Sequence, residues 1–456
     1  MNVADEGADT KDARFRLIAD VVVSGPEAES IFRPGVVDVT GSEIAYVGPL
    51  DTAPDPVGGV ERANVEVVGG LLMPGLVNAH GHTPMTLLRS AGDGLPLGRW
   101  LKEAIWPREA HLSDEDVYWG MLLGCEELLC NGVTTTTEMY VRDRSVVAAA
   151  LDSGIRAVVT PGILDVEGAG PAGSWRSFFN AAVDLYDEFN ATSERITVGF
   201  GPHSAYVLPE DALVEVARVA SDVAALVHIH LSETKAEDLV VRERHGYGAP
   251  EVLARTGILD NRVLAAHGVW LSDVEMDLLA AHGAAVAHCP QSNGKLGSGI
   301  ARVKEMLSKG VRVALGTDGP ASNDDLDLWE EMRLAPLLAR AIAGDATAVT
   351  TAEAFKMATS SGAESLGIDS GVLEAGKLAD LIRVDLDHGC FTPALDSTEL
   401  LSHLVWAASS RLVTDVWVGG RRVVKDHRCV TVDADEARRE VSARARRIFE
   451  QASRSS

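Results

Sequence analysis

The stretch Asn78-Ala79-His80-Gly81-His82 follows the run Pro74-Gly75-Leu76-Val77 and places two histidines two residues apart. In a β-strand, residues i and i+2 point to the same face, so both imidazoles can reach one metal ion. Imidazole pairs are good ligands for zinc or iron. Two ligands do not complete such a site, so further ligands must come from other parts of the chain.

Short apolar runs alternate with helical patterns through the middle of the chain, which predicts a parallel (β/α)8 barrel. The carboxyl ends of the strands of such a barrel all face one mouth, where the active site lies. Most of the predicted strands end in, or just before, a histidine or an aspartate, so these side chains should meet. The strands are predicted over residues 79–82, 134–139, 157–160, 196–203, 226–231, 263–267, 284–288 and 311–318.

The two ends of the chain share a different pattern. Short alternating runs separated by Gly, Pro and Asp occupy residues 15–68 and return over 371–424, which predicts strands that form one small β-sandwich. Helices are predicted over Asp273–Ala281 and Ala301–Lys309, and a charged helical tail from about Ala434. The first dozen residues are predicted to be disordered. The expected domains are 1–73 and 374–432 for the β-sandwich, 74–373 for the metal-dependent barrel and 433–456 for the helical tail.

Composition narrows the classes of function. The net charge is −26, with 67 acidic and 41 basic residues, and such a field repels nucleic acid and polyphosphates. No run reaches the roughly 20 apolar residues that span a bilayer, and the polar N-terminus is unlike a secretory signal. We therefore expect a cytoplasmic protein with no nucleic-acid or membrane partner. The five cysteines form no C-x-x-C pair, which predicts buried free thiols.

Further candidate ligands stand at strand ends. His230 lies three residues before Glu233, and His228 is a rival ligand on the same strand face. We prefer His230 because it lies nearer the mouth, which leaves His228 as a packed or supporting histidine. His267 and Asp318 each end a buried apolar run. Any one of them alone would be interpreted as a hydrogen-bonded residue at a strand end, but several in register indicate a metal site.

The sequence resembles the amidohydrolase superfamily, and within it the branch of 5′-methylthioadenosine and S-adenosylhomocysteine deaminases. The likeness runs from about residue 15 to about residue 430. The motifs that carry it span residues 74–89, Gly201-Pro202-His203-Ser204-Ala205-Tyr206, His230-Leu231-Ser232-Glu233-Thr234, Ala265-Ala266-His267-Gly268, residues 292–301 and Gly316-Thr317-Asp318-Gly319-Pro320-Ala321-Ser322-Asn323.

By this resemblance, His80, His82, His230 and Asp318 hold one divalent metal. Zinc is the family expectation, with iron or manganese as alternatives. Dinuclear relatives bridge two metals with a carboxylated lysine from strand four, whereas this strand ends in His203 and has no lysine.

The resemblance also implies catalytic roles around the metal. Zinc lowers the pKa of its bound water from about 15.7 towards 7. Asp318 is expected to accept the proton of that water, and His267 to orient the resulting hydroxide. Glu233 is expected to protonate the ring nitrogen beside the attacked carbon, so that ammonia can leave. The implied activity is hydrolytic deamination of an adenine nucleoside: 5′-methylthioadenosine, S-adenosylhomocysteine or adenosine.

Substrate contacts are implied in the same way. Glu109, after Trp106-Pro107, matches a family glutamate that binds the ribose hydroxyls, and His203 matches a histidine that reaches a purine nitrogen. Trp100 is expected to supply an apolar wall. Family members often carry an arginine near the end of strand three, but this chain has Pro161 there. That departure, together with the small residues of loop 167–175, leaves the 5′ side of the substrate open.

Two other interpretations compete. The same site could act on guanine, a pterin or a triazine, for which Glu109 would have no ribose to bind. A barrel of this superfamily could also serve as a scaffold without enzymatic activity, which would bind no metal. Relatives are commonly dimers or tetramers, so a homo-oligomer is expected.

Overall fold

The computed structural model describes residues 14–27, 30–55, 65–165, 174–190, 192–393 and 397–455. The first dozen residues, for which disorder was predicted, and positions 167–173 of the loop 167–175 lie outside the described residues. Short strands separated by turns open the described chain, as their spacing predicted. They are β1 (Arg14–Ala19), β2 (Val21–Val23), β3 (Ile31–Phe32), β4 (Gly35–Thr40), β5 (Glu43–Pro49), β6 (Val65–Val67) and β7 (Leu71–Pro74).

Parallel strands and helices alternate through the middle of the chain. The strands form two parallel sheets, ordered β12-β10-β9-β8 and β14-β15-β16-β17, and a short pair β11-β13. Single bridges join Phe200 to Val227 and Gly81 to Asp318 between the two sheets. The strands are β8 (Leu76–Gly81), β9 (Val133–Glu138), β10 (Arg156–Val159), β11 (Gly162–Ile163), β12 (Ile196–Val198), β13 (Gly201–Pro202), β14 (Leu226–Leu231), β15 (Arg262–His267), β16 (Ala285–His288) and β17 (Arg312–Leu315).

Both parallel sheets contribute to one apolar core. Val77, Val158, Leu226, Leu264 and Ala314 belong to a single buried cluster, so the two sheets share an interior. Small and branched side chains fill the space between parallel strands in this way. Because the bridges between the two sheets are parallel, the carboxyl ends of the strands lie on one side of the molecule.

Most predicted strands are confirmed to within a few residues, and two need correction. The fourth is interrupted after Val198 and resumes at Gly201. The eighth ends at Leu315 rather than at Asp318. A strand cannot continue through Asp318, because that residue has a φ of 60°, outside the range of extended backbone.

Helices connect and cover the strands. The predicted helix Asp273–Ala281 is confirmed, and Ser272 forms a capping box with Glu275 at its start, an arrangement that satisfies free backbone N–H groups. The helix predicted over Ala301–Lys309 is shorter, Val303–Ser308. The helices are α1 (Leu97–Arg99), α2 (Trp106–Glu109), α3 (Asp114–Cys130), α4 (Asp143–Ser153), α5 (Trp175–Phe189), α6 (Glu210–Val223), α7 (Lys235–His245), α8 (Ala249–Arg255), α9 (Asp273–Ala281), α10 (Pro290–Lys295), α11 (Val303–Ser308), α12 (Leu328–Ala343), α13 (Thr351–Ala358), α14 (Ser360–Leu366), α15 (Ser397–Trp406) and α16 (Ala434–Ser455).

The two ends of the chain meet in shared sheets. A seven-stranded sheet has the order β21-β20-β19-β18-β7-β2-β3, and a four-stranded sheet has the order β5-β4-β1-β6. Leu17, Val37, Leu72, Leu381 and Trp417 form one buried cluster between these sheets. The late strands are β18 (Leu381–Val384), β19 (Val413–Val418), β20 (Arg421–Lys425) and β21 (Arg428–Cys429).

The predicted charged tail is helix α16, which packs on α3. Arg444 Nη1 lies 3.1 Å from Asp116 Oδ1, and Arg447 contacts the other oxygen of the same carboxylate. None of the helices in the described ranges has the length and apolar character that crossing a bilayer requires.

All five cysteines are free thiols, as predicted. The expectation that they are buried holds for Cys125 and Cys289 but is wrong for Cys130, Cys390 and Cys429, which are half-buried. These three lie at a helix end, in a short 3-10 turn and on an edge strand, where neighbouring elements cover only one side.

Candidate metal and active site

Three histidines and one aspartate converge at the carboxyl ends of the parallel strands. The Nε2 atom of His82 lies 3.3 Å from Nε2 of His230 and 3.3 Å from Oδ1 of Asp318. The Nε2 atom of His80 lies 3.4 Å from the same oxygen of Asp318. The ligand atoms of His80, His82 and His230 all lie within 4.8 Å of one another, as do those of His80, His267 and Asp318. The residues predicted as ligands are therefore brought together.

A relay of hydrogen bonds fixes the tautomer of His80. The hydroxyl of Thr160 donates to the carbonyl oxygen of Glu138 at 2.9 Å, so its oxygen accepts from Nδ1 of His228 at 2.9 Å. Nε2 of His228 then accepts from Nδ1 of His80 at 2.8 Å. Nε2 of His80 is left with a lone pair directed into the site. His228 thus lies behind His80 as a support, a role that second-layer groups commonly have at metal sites.

Carbonyl oxygens fix the other two imidazoles. Nδ1 of His82 donates to the carbonyl of Met139, and Nδ1 of His230 donates to the carbonyl of His203 at 3.0 Å. A carbonyl oxygen only accepts, so Nδ1 carries the proton in both rings. Each Nε2 therefore also presents a lone pair to the common point.

This donor set fits a divalent cation. Nε2 of His80 is buried and has no hydrogen-bond partner among the described residues, which is costly unless a ligand satisfies it. Burial lowers the pKa of His80 to about 4 and that of His230 well below its ordinary value, so both rings are neutral. Neutral imidazoles with one carboxylate suit zinc, and also iron or manganese.

Asp318 is held as an ionised carboxylate. Its Oδ2 accepts hydrogen bonds from Ser292 Oγ at 2.6 Å and Ser322 Oγ at 2.8 Å, which leaves Oδ1 facing the histidines. Its pKa lies well below the usual range, although burial acts to raise it.

Glu233 and His267 lie beside this group. Oε2 of Glu233 is 3.7 Å from Nε2 of His267. Burial, with a further contribution from Asp318, raises the pKa of Glu233 to about 8. A carboxyl group with such a pKa is protonated at neutral pH and can act as a general acid.

The predicted substrate residues line the same pocket, whose volume is about 740 Å³ with its open mouth included. Oε1 of Glu109 accepts a hydrogen bond from the hydroxyl of Tyr140 at 2.9 Å, and burial raises the pKa of Glu109. His203 stacks on His230 with ring centroids 4.5 Å apart. Trp100 is 5% exposed and donates from Nε1 to the carbonyl of Ala91.

Several lining residues were not predicted from the sequence. Tyr140 directly follows Met139 at the end of β9, so the strand-end rule that found the histidines could have found it. Leu97, Leu101 and Ile105 recur at helical spacing and present an apolar wall. No signal in the sequence singles out Leu164, which lines the pocket just before the undescribed part of its loop.

The fold and the site are those of a metal-dependent hydrolase of the α/β class. Residues 71–423 match the amidohydrolase family, and the chain belongs to that family.

Several proteins similar to this chain in sequence or in structure are named as deaminases of adenosine or its derivatives. The chain is 40% identical over 432 residues to a 5-methylthioadenosine/S-adenosylhomocysteine deaminase of Pelotomaculum thermopropionicum, covering 94% of this chain and 96% of the relative. It is 38% identical to a 5′-deoxyadenosine deaminase of Methanothermobacter thermautotrophicus, covering 89% and 93%. An adenosine deaminase of Xanthomonas campestris solved with bound zinc superposes with a TM-score of 0.88 at 33% identity, covering 96% and 99%.

Proposed function

We propose that this protein is a hydrolytic deaminase of adenine nucleosides that uses one divalent metal, with zinc as the first choice. The observation that carries the proposal is the convergence of three imidazole lone pairs and one carboxylate beside the buried carboxyl group of Glu233. His80, His82, His230 and Asp318 would hold the metal. The names of the relatives support the substrate class.

The proposal includes the architecture expected from the sequence. The strands of residues 74–373 close into a (β/α)8 barrel, which the bridges Phe200–Val227 and Gly81–Asp318 support. The terminal segments 1–73 and 374–432 form the β-sandwich, supported by their shared apolar cluster, and residues 433–456 form the helical tail. A cytoplasmic location, expected from the composition, and a dimeric or tetrameric assembly, implied by the family resemblance, also belong to the proposal.

The reaction is derived from the residues around the purine. A bound divalent metal supplies an activated water by lowering the pKa of that water from about 15.7 towards 7. Glu233 donates its proton to the ring nitrogen beside C6 as the water oxygen adds to that carbon. Oδ1 of Asp318 accepts a proton from the water and returns it to the amino group. The C–N bond then breaks and ammonia leaves, while the second proton of the water, now on the C6 oxygen, passes to Glu233, which restores the acid and leaves the inosine analogue.

The pocket favours an uncharged 5′ group. Its described lining residues contain no lysine or arginine, and the undescribed residues 166–173 contain none in sequence. The carboxylate of S-adenosylhomocysteine would therefore lose its water without gaining a cation, which is unfavourable. Glu109 is available to the ribose hydroxyls. We therefore expect 5′-methylthioadenosine, 5′-deoxyadenosine and adenosine to be better substrates than S-adenosylhomocysteine.

The test is ammonia release from these four nucleosides and from guanine, a pterin and a triazine, with zinc-loaded and chelator-treated protein. We expect deamination of the nucleosides only with metal present, and a kcat/KM for S-adenosylhomocysteine at least about tenfold below that for 5′-methylthioadenosine, the size of one lost polar contact. Reaction with the free bases alone would overturn the nucleoside assignment. Absence of bound metal would overturn the enzyme assignment.

A further inference from the structure

One short segment contacts Asp318 and Glu233, which the proposed reaction uses, and also His267, which the family resemblance expects to orient the reacting water. Residues 292–298, from within α10 through the following turn, carry Ser292, Asn293 and Ser298, which are 0%, 1% and 4% exposed. Ser292 donates to Asp318, as described above. Nδ1 of His267 lies 3.0 Å from Oδ1 of Asn293, and Ser298 Oγ donates to Oε1 of Glu233 at 3.1 Å.

These three contacts come from different strand ends. Asp318 follows β17, His267 ends β15, and Glu233 follows β14, so their side chains have no common element of their own. The backbone of the segment is itself tied together, because the N–H of Ser298 donates to the carbonyl of Asn293 at 2.9 Å. The 292–298 segment is therefore a single body that spans the three groups.

We propose that the 292–298 segment is a positioning element that determines which atom of each reacting group faces the substrate, with Asn293 as its decisive residue. This inference rests on the proposed deaminase function. The amide oxygen of Asn293 only accepts, so Nδ1 of His267 carries the proton. Nε2 of His267 then presents a lone pair towards Oε2 of Glu233 and the reacting water.

The same logic selects the working oxygen of Glu233. Because Oε1 receives the hydrogen bond from Ser298, Oε2, the oxygen nearer His267, is the one free to donate in the acid form of Glu233. Nε2 of His267 and Oε2 of Glu233 are then an acceptor and a donor that face the same space. A protonated Nε2 on His267 would instead compete with Glu233 as a donor.

The contact to Asp318 is duplicated, which provides an internal comparison. Ser322 donates to the same Oδ2 as Ser292, so the loss of Ser292 leaves one donor in place. Asn293 has no such substitute at Nδ1 of His267 among the described residues. The three positions should therefore differ in their effect even though all are buried to the same degree.

The experiment compares Asn293→Leu, Asn293→Asp, Ser298→Ala and Ser292→Ala in the zinc-loaded protein. Replacing a supporting partner typically costs 10- to 100-fold. We expect Asn293→Leu to lower kcat by about that factor, with KM changed less than about threefold and zinc content unchanged. Asn293→Asp keeps the accepting oxygen and should retain most of kcat. Ser298→Ala should have an intermediate effect and Ser292→Ala a small one.

The matched control is Thr256→Val, which removes a buried hydroxyl that bonds only to the carbonyls of its own helix. Thr256→Val should leave kcat unchanged, although it should lower thermal stability by about as much as Asn293→Leu does. If Asn293→Leu keeps kcat within twofold, or if Asn293→Asp loses as much as Asn293→Leu, the positioning role is wrong.

A measurement without metal or substrate separates this inference from the proposed function. Long-range 1H–15N NMR of the metal-free protein distinguishes the two neutral tautomers of histidine, and His267→Gln identifies the signals among the 13 histidines. We expect the Nδ1–H form for His267 in the wild type and its loss in Asn293→Leu. An Nε2–H signal in the wild type would overturn the inference even if deamination is observed. Detection of the Nδ1–H form in the wild type would support the inference even if the protein deaminates no nucleoside.

Discussion

Two buried polar regions lie at opposite ends of the parallel strands. At the amino end of β10, Arg156 Nε and Nη2 donate to the two oxygens of Asp380 at 2.8 and 3.0 Å, and Nη1 donates to the carbonyl of Glu194. The backbone N–H of Gly419 also donates to Oδ1 of Asp380 at 2.6 Å. At the carboxyl ends, Nε2 of His80 has no hydrogen-bond partner within the described ranges.

The difference separates a structural site from a binding site. In the Arg156–Asp380 pair, the protein itself supplies the partners of both charges, as a permanent link between the central strands and the terminal sheets requires. In the histidine cluster, two carbonyls and the imidazole of His228 occupy the outward-facing nitrogens of His82, His230 and His80 but leave the inward-facing nitrogens available. Buried groups with incomplete pairing indicate a missing ligand.

The largest effect that this comparison predicts comes from Asp318→Ala. The change removes both a proposed ligand and the proton acceptor, so we expect zinc binding to fall and deamination to drop by more than about 10⁴-fold, beyond the range for loss of an acid or base alone. Metal analysis and ammonia release measure the two quantities. An Asp318→Ala protein that still binds one zinc and deaminates at the wild-type rate would show that the histidine cluster is not the binding site.

Glu233→Gln should keep the metal and lose about 10²- to 10⁴-fold in kcat, because the amide has no proton to give. In the wild type, Glu233 is active when protonated, so the rate should fall as pH rises through its pKa. That pKa is about 8 without metal, and a bound cation lowers it. The pH–rate profile should lose this alkaline decline in the variant, and an unchanged decline would assign it to another group.

Arg156→Met tests the fully paired region. It leaves Asp380 buried without its cation, which should lower the free energy of unfolding by about 3–5 kcal/mol. Urea unfolding measures this loss. The kcat and zinc content of the folded protein should not change, since the pair lies away from the site. Loss of zinc without loss of stability would contradict the division between the two regions.

The smallest effect is expected at the surface of the C-terminal helix. Arg447 is 41% exposed at its side chain, and Arg444 also contacts Asp116, so Arg447→Ala should cost about 0.2–1 kcal/mol. Burial acts to raise the pKa of Asp116, but Arg447, Ser113 and Arg444 together lower it to about 2. The stabilisation is therefore complete above about pH 4 and is lost as the pH falls towards 2. Unfolding at pH 7 and pH 3 should show a smaller difference between variant and wild type at pH 3.

Sequence patterns were sufficient for the elements of the fold because strand alternation and helix capping are local properties. The ends of β14 and β15 were predicted correctly, and so was helix Asp273–Ala281. The extension of the last strand to Asp318 was wrong because Asp318 takes a positive φ and donates its N–H to the carbonyl of His80, a partner from a distant part of the chain.

Some residues of the candidate site could likewise be predicted from the sequence, and others could not. The proposed ligands could be listed from the sequence because strand ends of a parallel barrel converge whatever the loops do. The contacts of Asn293 and Ser298 could not be listed, since nothing local distinguishes a serine that supports Glu233 from one on the surface.

Residue order alone determined the alternating strands and helices, the acidic surface and the set of histidines and acids offered for metal binding. Tertiary structure alone decided which nitrogen of each histidine carries its proton and which carboxyl group is kept protonated. Those properties depend on burial and on partners from distant strands. A pattern of neighbouring residues encodes neither.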